Sequence, residues 1–390
     1  RRTQSSGNRQ KWTYSAWIKR TGIGVLGSLI GSSSAGNNNG YGQIRFQADD
    51  TLNFTGWSEW WITNRKFRDP NAWYHIVFAV DTTQATDTNR FKLYINGTQE
   101  TSFSTINYPD EDFDLSLNVN SAYVYLGAES YSSGTSRFFD GSMSHIHFID
   151  GTAYDASAFG ETDATTGEWK IKTSPSVTYG TNGFFILKDG NSVTDQSGQG
   201  NNFTVHAGTL TKTEDCPSNV FCTWNPLNTG SGSTFSKGNL ATNTGDNKND
   251  IGTIGFDKGK YYWEVKCAGS GIVGVQHESL DHLTGTNLNG TAGSVALSSY
   301  HGTIFHNTNS DTTPSTDTDG CIIGCAVDMD NNKIYWHKDG TYYATSGGTQ
   351  NPTTEANPIT VATGTHTSGF WFPKITSGTG SQTFETNFGN

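Results

Sequence analysis

Twice in this chain an apolar strand stops at an aspartate, a polar loop follows, an aromatic-rich strand returns, and a glycine-containing pair turns the chain again. The first instance is "AWYHIVFAVD" followed by "RFKLYINGT" (residues 72–81 and 90–98), and the second is "CIIGCAVDMDNNKIYWHKDGT" (residues 321–341). Successive strand side chains point to opposite faces. Tyr74, Ile76, Phe78 and Val80 therefore share one face, Trp73, His75 and Val77 the other, and Phe91, Leu93 and Ile95 continue the apolar surface. Asn-Gly and Asp-Gly accept the positive φ of tight hairpin turns. One plan occurring in both halves predicts two related β-sandwiches in tandem, because a sheet with one apolar face must bury it against another layer.

The second instance also admits a metal reading. Asp328, Asp330 and Asn332 follow the one, three, five spacing of a calcium loop, with Asp339 at the twelfth place. Such a loop needs Gly at its sixth place, between two helices. Here Lys333 holds that place, between strands. Asp81, the counterpart of Asp328, lies in a loop without this spacing, and an aspartate suits a strand exit because its carboxylate bonds the backbone N–H groups of the turn. Turn chemistry covers both instances, so no metal and no cofactor is expected.

Composition agrees with an all-β chain. Charged residues make up 16% and aromatic residues 13% of the 390 residues, against roughly 25% charged in an average soluble protein, with Gly, Ser, Thr and Asn filling the difference. That mixture favours strands and turns over helices. The length predicts two domains. Pro217, Pro226 and a Gly/Ser run mark the break, placing a first domain at residues 1–215, a linker at 216–235 and a second domain at 236–390. The net charge of −11 argues against nucleic acid, whose binding draws on Lys and Arg, and no apolar run is long enough for a membrane helix. Cys216, Cys222, Cys267, Cys321 and Cys325 are too few for a disulfide framework and point to reduced thiols. Cys321 and Cys325 fall on the face of Ile323 and Val327, toward a core. The opening "RRTQSSGNRQKW" has no Met and no signal-peptide pattern, as the interior of a longer chain would.

The second half resembles the SPRY domain through "KGKYYWEVKCAGSGIVGVQ", "GCIIGCAVDMDNNKIYWHKDG", "FWFPKI" and "FETNFGN". This resemblance implies a bent β-sandwich that binds partners through loops at one edge. The first half resembles a laminin-G or concanavalin A-like jelly roll through "WTYSAWIKR", "WYHIVFAVD", "FKLYING", "YVYLGAE" and "FFDGSMSHIHFIDG". The tandem is similar to fibre or appendage proteins of tailed bacteriophages, marine ones especially. Membership of that group implies a virion-surface protein assembled in the bacterial cytosol, partnered by other virion proteins. A homotrimer suits a fibre, although no heptad run specifies one.

Candidate sites are few. Concanavalin A-like hydrolases carry Glu-x-Asp-x-x-Glu on one strand, putting acid and nucleophile about 5 Å apart. The nearest match has Glu161 and Asp163 but Thr166 in the last place, among turn residues. His145 and His147 share a strand face without an evident third metal ligand. "GWSEWWITNR" offers Trp57 and Trp61 on one face and Trp60 on the other as rings for sugar contact, with at least one of them expected in the core. Tyr300 and His301 are offered by a loop. The resulting expectation is a non-enzymatic virion protein binding a host-surface glycan or protein through loops. The alternatives are a capsid-decorating or tail-connecting protein that touches only virion partners and, disfavoured, a polysaccharide-degrading enzyme.

Overall fold

In the computed structural model the described residues are 1–33, 42–56, 59–131, 134–269, 271–280, 291–298, 302–306, 309–312, 320–378 and 380–390. They form a nearly all-β chain whose helical content is three short 3₁₀ turns, at Asp87–Asn89, Ala156–Ala158 and Gly364–His366. Among the described residues no helix is long and apolar enough to cross a membrane. The chain divides into two compact units, Arg1–Val220 and Phe221–Asn390.

The first unit is a sandwich of two antiparallel sheets. One runs, in order, Phe184–Ile186, Gly141–Asp150, Lys11–Arg20, Trp73–Asp81, Phe91–Ile95 and Thr98–Glu100. The other runs Arg2–Thr3, Tyr123–Leu126, Gly27–Ser33, Gly42–Phe46, Thr51–Thr55, Glu59–Lys66 and Phe103–Ile106. Period-two alternation sends Trp12, Tyr14, Ile76, Phe78 and Leu93 of the first sheet against Ile44, Phe46, Phe54 and Trp61 of the second. The opposite face of the first sheet is also covered. Residues 151–180 fold back over it, packing Phe159, Tyr154, Trp169 and Tyr179 on Val77 and Ile149.

The second unit repeats the two-layer plan. One sheet runs Trp224–Thr229, Asn249–Gly252, Trp371–Ser377, Gly271–His277, Ser294–Ser298, Thr303–His306 and Asn309–Thr312. Its partner runs Thr234–Ser236, Ala241–Thr244, Gln382–Asn387, Lys260–Ala268, Ile322–Asp328, Lys333–Lys338 and Thr341–Tyr342, with Ile359–Thr360 also pairing Lys333–Lys338. Trp263, Val265, Ile323 and Trp336 meet Val273, Val295, Leu297 and Trp371 in the core. Cys321, Cys325 and Cys267 are buried there too, and burial pushes the Cys267 and Cys325 thiols up.

Residues 216–235, expected as a linker, are shared out differently. Trp224–Thr229 and Thr234–Ser236 are strands of the second unit, and Trp224 is fully buried with its indole N–H on the Thr386 hydroxyl at 3.0 Å. Pro226 stands where the pairing with Asn249–Gly252 is interrupted, on an edge strand, the place in a sheet where a missing N–H is tolerated.

Candidate binding site

The strand-exit aspartates act as turn residues. Asp81 accepts bonds from the Thr83 N–H (3.2 Å), the Thr83 hydroxyl (2.6 Å) and the Gln84 amide (2.8 Å). Asp328 does the same with the Asn331 N–H (3.1 Å) and side-chain amide (2.9 Å). Burial raises both carboxyl groups, and these bonds together with a lysine on each more than offset it, holding both below the usual carboxylate range. The other residues of the calcium-like spacing point to separate places. Asp330 takes the Gly259 N–H (2.9 Å), Asn332 the Ala362 N–H (2.6 Å) and Asp339 the Ile322 N–H (2.9 Å). Among the described residues no three His, Cys, Asp or Glu side chains converge as a metal-holding group.

Under the cover of the first domain lies a pair that sequence spacing does not reveal. Ser15 Oγ is 2.9 Å from His75 Nε2, with Trp17 stacked on the imidazole. The Trp169 indole N–H lies 3.0 Å from His75 Nδ1. An indole is a donor only, so Nδ1 accepts, and the neutral ring carries its proton on Nε2 and donates it to Ser15. That direction is the reverse of what a serine nucleophile needs from its base. Both residues are at most 1% exposed, and burial holds His75 down to about 3.

The other sequence candidates fall as follows. Asp163 is the cap of a hairpin turn, bonded by the N–H groups of Thr166 (3.0 Å) and Thr165 (2.8 Å) and by Lys170 (3.2 Å), which lower its carboxyl to about 2. His145 has φ +47° at a bulge in the Gly141–Asp150 strand and its Nδ1 is 2.8 Å from the Ser144 hydroxyl. His147 meets the Tyr179 hydroxyl at 2.9 Å and stacks on Phe185. Trp61 is 2% exposed and lies flat on Phe91 in the core, so it is a packing residue and not a sugar platform. A strand in a sandwich buries one face, and this ring is on it. Trp60 lies in the Glu59–Lys66 strand, but its side chain is outside the described part, as are Trp57, Tyr300 and His301 altogether.

A recess of about 390 Å³ on the first domain is lined by Arg1, Arg2, Tyr123, Asn201, Asn202 and Thr204, among others. Arg2–Thr3 pairs with Tyr123 and Val124, which forms one wall. The segment around Asn201 forms the other. Asp195 holds that segment by accepting the N–H groups of Phe185 (2.8 Å), Ser197 (2.9 Å) and Asn201 (2.8 Å). Arg2 then spans the gap, donating to Asn201 Oδ1 (2.6 Å) and Asn182 Oδ1 (3.3 Å), while the Arg1 guanidinium lies 4.6 Å above the Tyr123 ring. Guanidinium, amide and hydroxyl groups beside a ring form a surface for a polar ligand. Sequence reading had no means to find it, since its walls come from residues about 200 positions apart.

Two layers in each unit, joined by polar connecting segments, define a protein of two tandem β-sandwiches. Residues 2–158 match the concanavalin A-like lectin/glucanases superfamily, and residues 260–374 match the SPRY domain. The chain therefore carries a concanavalin A-like/laminin G domain followed by a SPRY domain. Among solved structures, the SPRY domain of human HERC1 is 18% identical, with a TM-score of 0.32, over 43% of this chain and 98% of that one. The PSpry domain of TRIM65 is 14% identical, with a TM-score of 0.30, over 43% of this chain and 92% of that one. No match was found among curated proteins.

Proposed function

We propose that this chain is a non-enzymatic virion protein, carried on a phage tail fibre or related appendage and assembled in the bacterial cytosol, that binds a host-surface glycan or protein through segments connecting its strands. The observation that carries the reading is the recess on the first domain, where a connecting segment at residues 200–204 and the edge-strand pair of Arg2–Thr3 with Tyr123 bring polar groups together around a tyrosine ring. Rigid sandwiches with ligand-contacting loops suit recognition. The protonation of the Ser15–His75 pair and the turn role of Asp163 favour binding over hydrolysis. Locating the chain in an electron-microscopy map of the virion tests the proposal. Exposure of the recess at the virion surface is expected. Burial of both domains among virion subunits would favour the decorating or connecting role, and release of oligosaccharide from host polysaccharide would establish an enzyme.

A further inference from the structure

The outer face of one sheet of the SPRY domain carries a row of side chains with no part in the core. Asn387, Glu264, Gly324, His337 and Tyr342 stand opposite one another in register across five neighbouring strands. Tyr262, two residues before Glu264, projects from the same face. Its hydroxyl is held on both sides. His337 Nε2 is 2.7 Å away, and Glu264 Oε1 is 2.7 Å away on the other side. The Gly340 N–H donates to His337 Nδ1 (3.1 Å), so the neutral imidazole donates from Nε2 and the tyrosine donates to Glu264. Gly324 makes this possible, because a Cβ there would run into the His337 ring. Tyr262 and His337 stack at 5.9 Å between centroids, and Tyr342 meets His337 edge-on at 5.3 Å.

This arrangement fixes a ring at an open surface. Tyr262 is 49% exposed although its hydroxyl is locked, so contact with its face costs little side-chain entropy. The groups around it offer both signs of hydrogen bonding. Among the described residues Glu264 Oε2 has no hydrogen-bond donor, and Asn387 Oδ1 already takes the Gly389 N–H (2.8 Å), so the Asn387 NH₂ is the group that donates. Charge is balanced. Glu385 is paired with Lys237 at 2.7 Å, leaving Glu264 beside the exposed Lys266 on the same strand face. The Tyr262 and Tyr342 rings, parted by His337, and Ile322, 39% exposed, are set among polar groups and do not form the contiguous apolar centre of a protein interface.

We propose that this face is a binding site for a neutral pyranose unit of a glycan, with the sugar ring stacked on Tyr262 and its hydroxyls bonded by Glu264 and Asn387. The proposal rests on the receptor reading above and locates a sugar contact on a sheet face in addition to the connecting segments.

The test is calorimetric titration of the full chain with cellohexaose, mannohexaose and galactohexaose, using wild type, Tyr262→Ala, Tyr262→Phe and Glu264→Gln. At least one hexaose is expected to saturate the wild type. Its affinity should fall about tenfold or more in Tyr262→Ala, and fall several-fold in Glu264→Gln and in Tyr262→Phe, which keeps the ring but loses the two bonds that lock it. Unchanged thermal melting of Tyr262→Ala, whose side chain is half exposed, ties the loss to the site. The proposal is overturned if none of the three hexaoses binds or if Tyr262→Ala binds as wild type does. Adsorption of the labelled chain to whole cells of a panel of marine bacterial isolates separates the two readings. Adsorption that Tyr262→Ala leaves intact overturns this site and keeps the receptor role; hexaose binding without adsorption to any isolate supports this site and overturns the receptor role.

Discussion

Lys260 and Asp328 stand directly opposite each other on paired strands, Nζ to Oδ2 at 3.0 Å, and Lys11 and Asp81 repeat the relationship in the first domain at the same 3.0 Å. In each domain the lysine opens a central strand and the aspartate closes its neighbour, where the neighbour's exit loop begins. The aspartate thereby ties the turn that follows it to the strand beside it.

Replacing the aspartates should separate these contributions. Asp81→Ala removes an acceptor from three turn donors and from Lys11, and should cost about 2 kcal/mol. Asp328→Ala should cost less, because the lysine above it is mostly exposed. Both carboxyl groups are held low in the folded state, so their contribution is present above pH about 4 and is lost as pH falls through and below that value. Urea melts of each variant at pH 7 and pH 3 check this; equal losses at both pH values would contradict it.

Acid should loosen the first domain earlier than carboxylate protonation requires. Burial holds His75 down to about 3, His145 down to about 4 and His147 well below its ordinary value. The unfolded chain takes up these protons near pH 6.5 while the folded domain refuses them. Their contribution is therefore whole above pH about 6.5 and is lost progressively as pH falls toward the folded values, at up to about 1.4 kcal/mol per pH unit for each histidine. Hydrogen exchange of the Lys11–Arg20 and Trp73–Asp81 amides should accelerate between pH 6.5 and 4 after correction for intrinsic rates. Constant protection across that range would refute the assignment.

Two glycines with similar backbone angles should respond differently to alanine. Gly97 has φ +80° in the Asn-Gly turn, and a Cβ there meets the Trp169 ring, whereas Gly24 has φ +75° and faces open space. Gly24→Ala should cost about 1 kcal/mol from the left-handed backbone alone. Gly97→Ala adds the displacement of Trp169, which also bonds His75, and should cost about 3 kcal/mol. Chemical denaturation of the two variants compares them, and equal costs would show that Trp169 yields freely.

Asp215 anchors the end of the first domain. Its carboxylate bonds Lys19 Nζ at 2.5 Å and the Trp73 indole at 2.8 Å, with Lys19 and Asp215 both under 10% exposed. Asp215→Ala leaves a buried ammonium without its carboxylate and should cost about 3 kcal/mol. Lys19→Met combined with Asp215→Leu should recover much of that loss. A double variant as unstable as Asp215→Ala would locate the anchor in the Trp73 bond instead.

The two-sandwich architecture was legible because period-two alternation must place one set of side chains inside. Tyr74, Ile76, Phe78 and Val80 do so, and the Asn96-Gly97 and Asp339-Gly340 turns adopt positive φ throughout. The strand at Trp224–Thr229 was hidden because Pro226 and the following Gly/Ser run carry turn composition, while burial of a single indole decides the matter. The Tyr262 row was hidden for another reason. Its members are contributed by strands far apart in sequence, and only cross-strand register brings Asn387 beside Glu264 and His337 over Gly324.

The wrapping of residues 151–180 over the six-stranded sheet bears on assembly. One side of that layer is inside the sandwich, and Phe159 and Trp169 of the chain's own added segment lie on the other around Val77 and Ile149. A neighbour approaching that part of the layer meets this added segment before it meets the sheet itself.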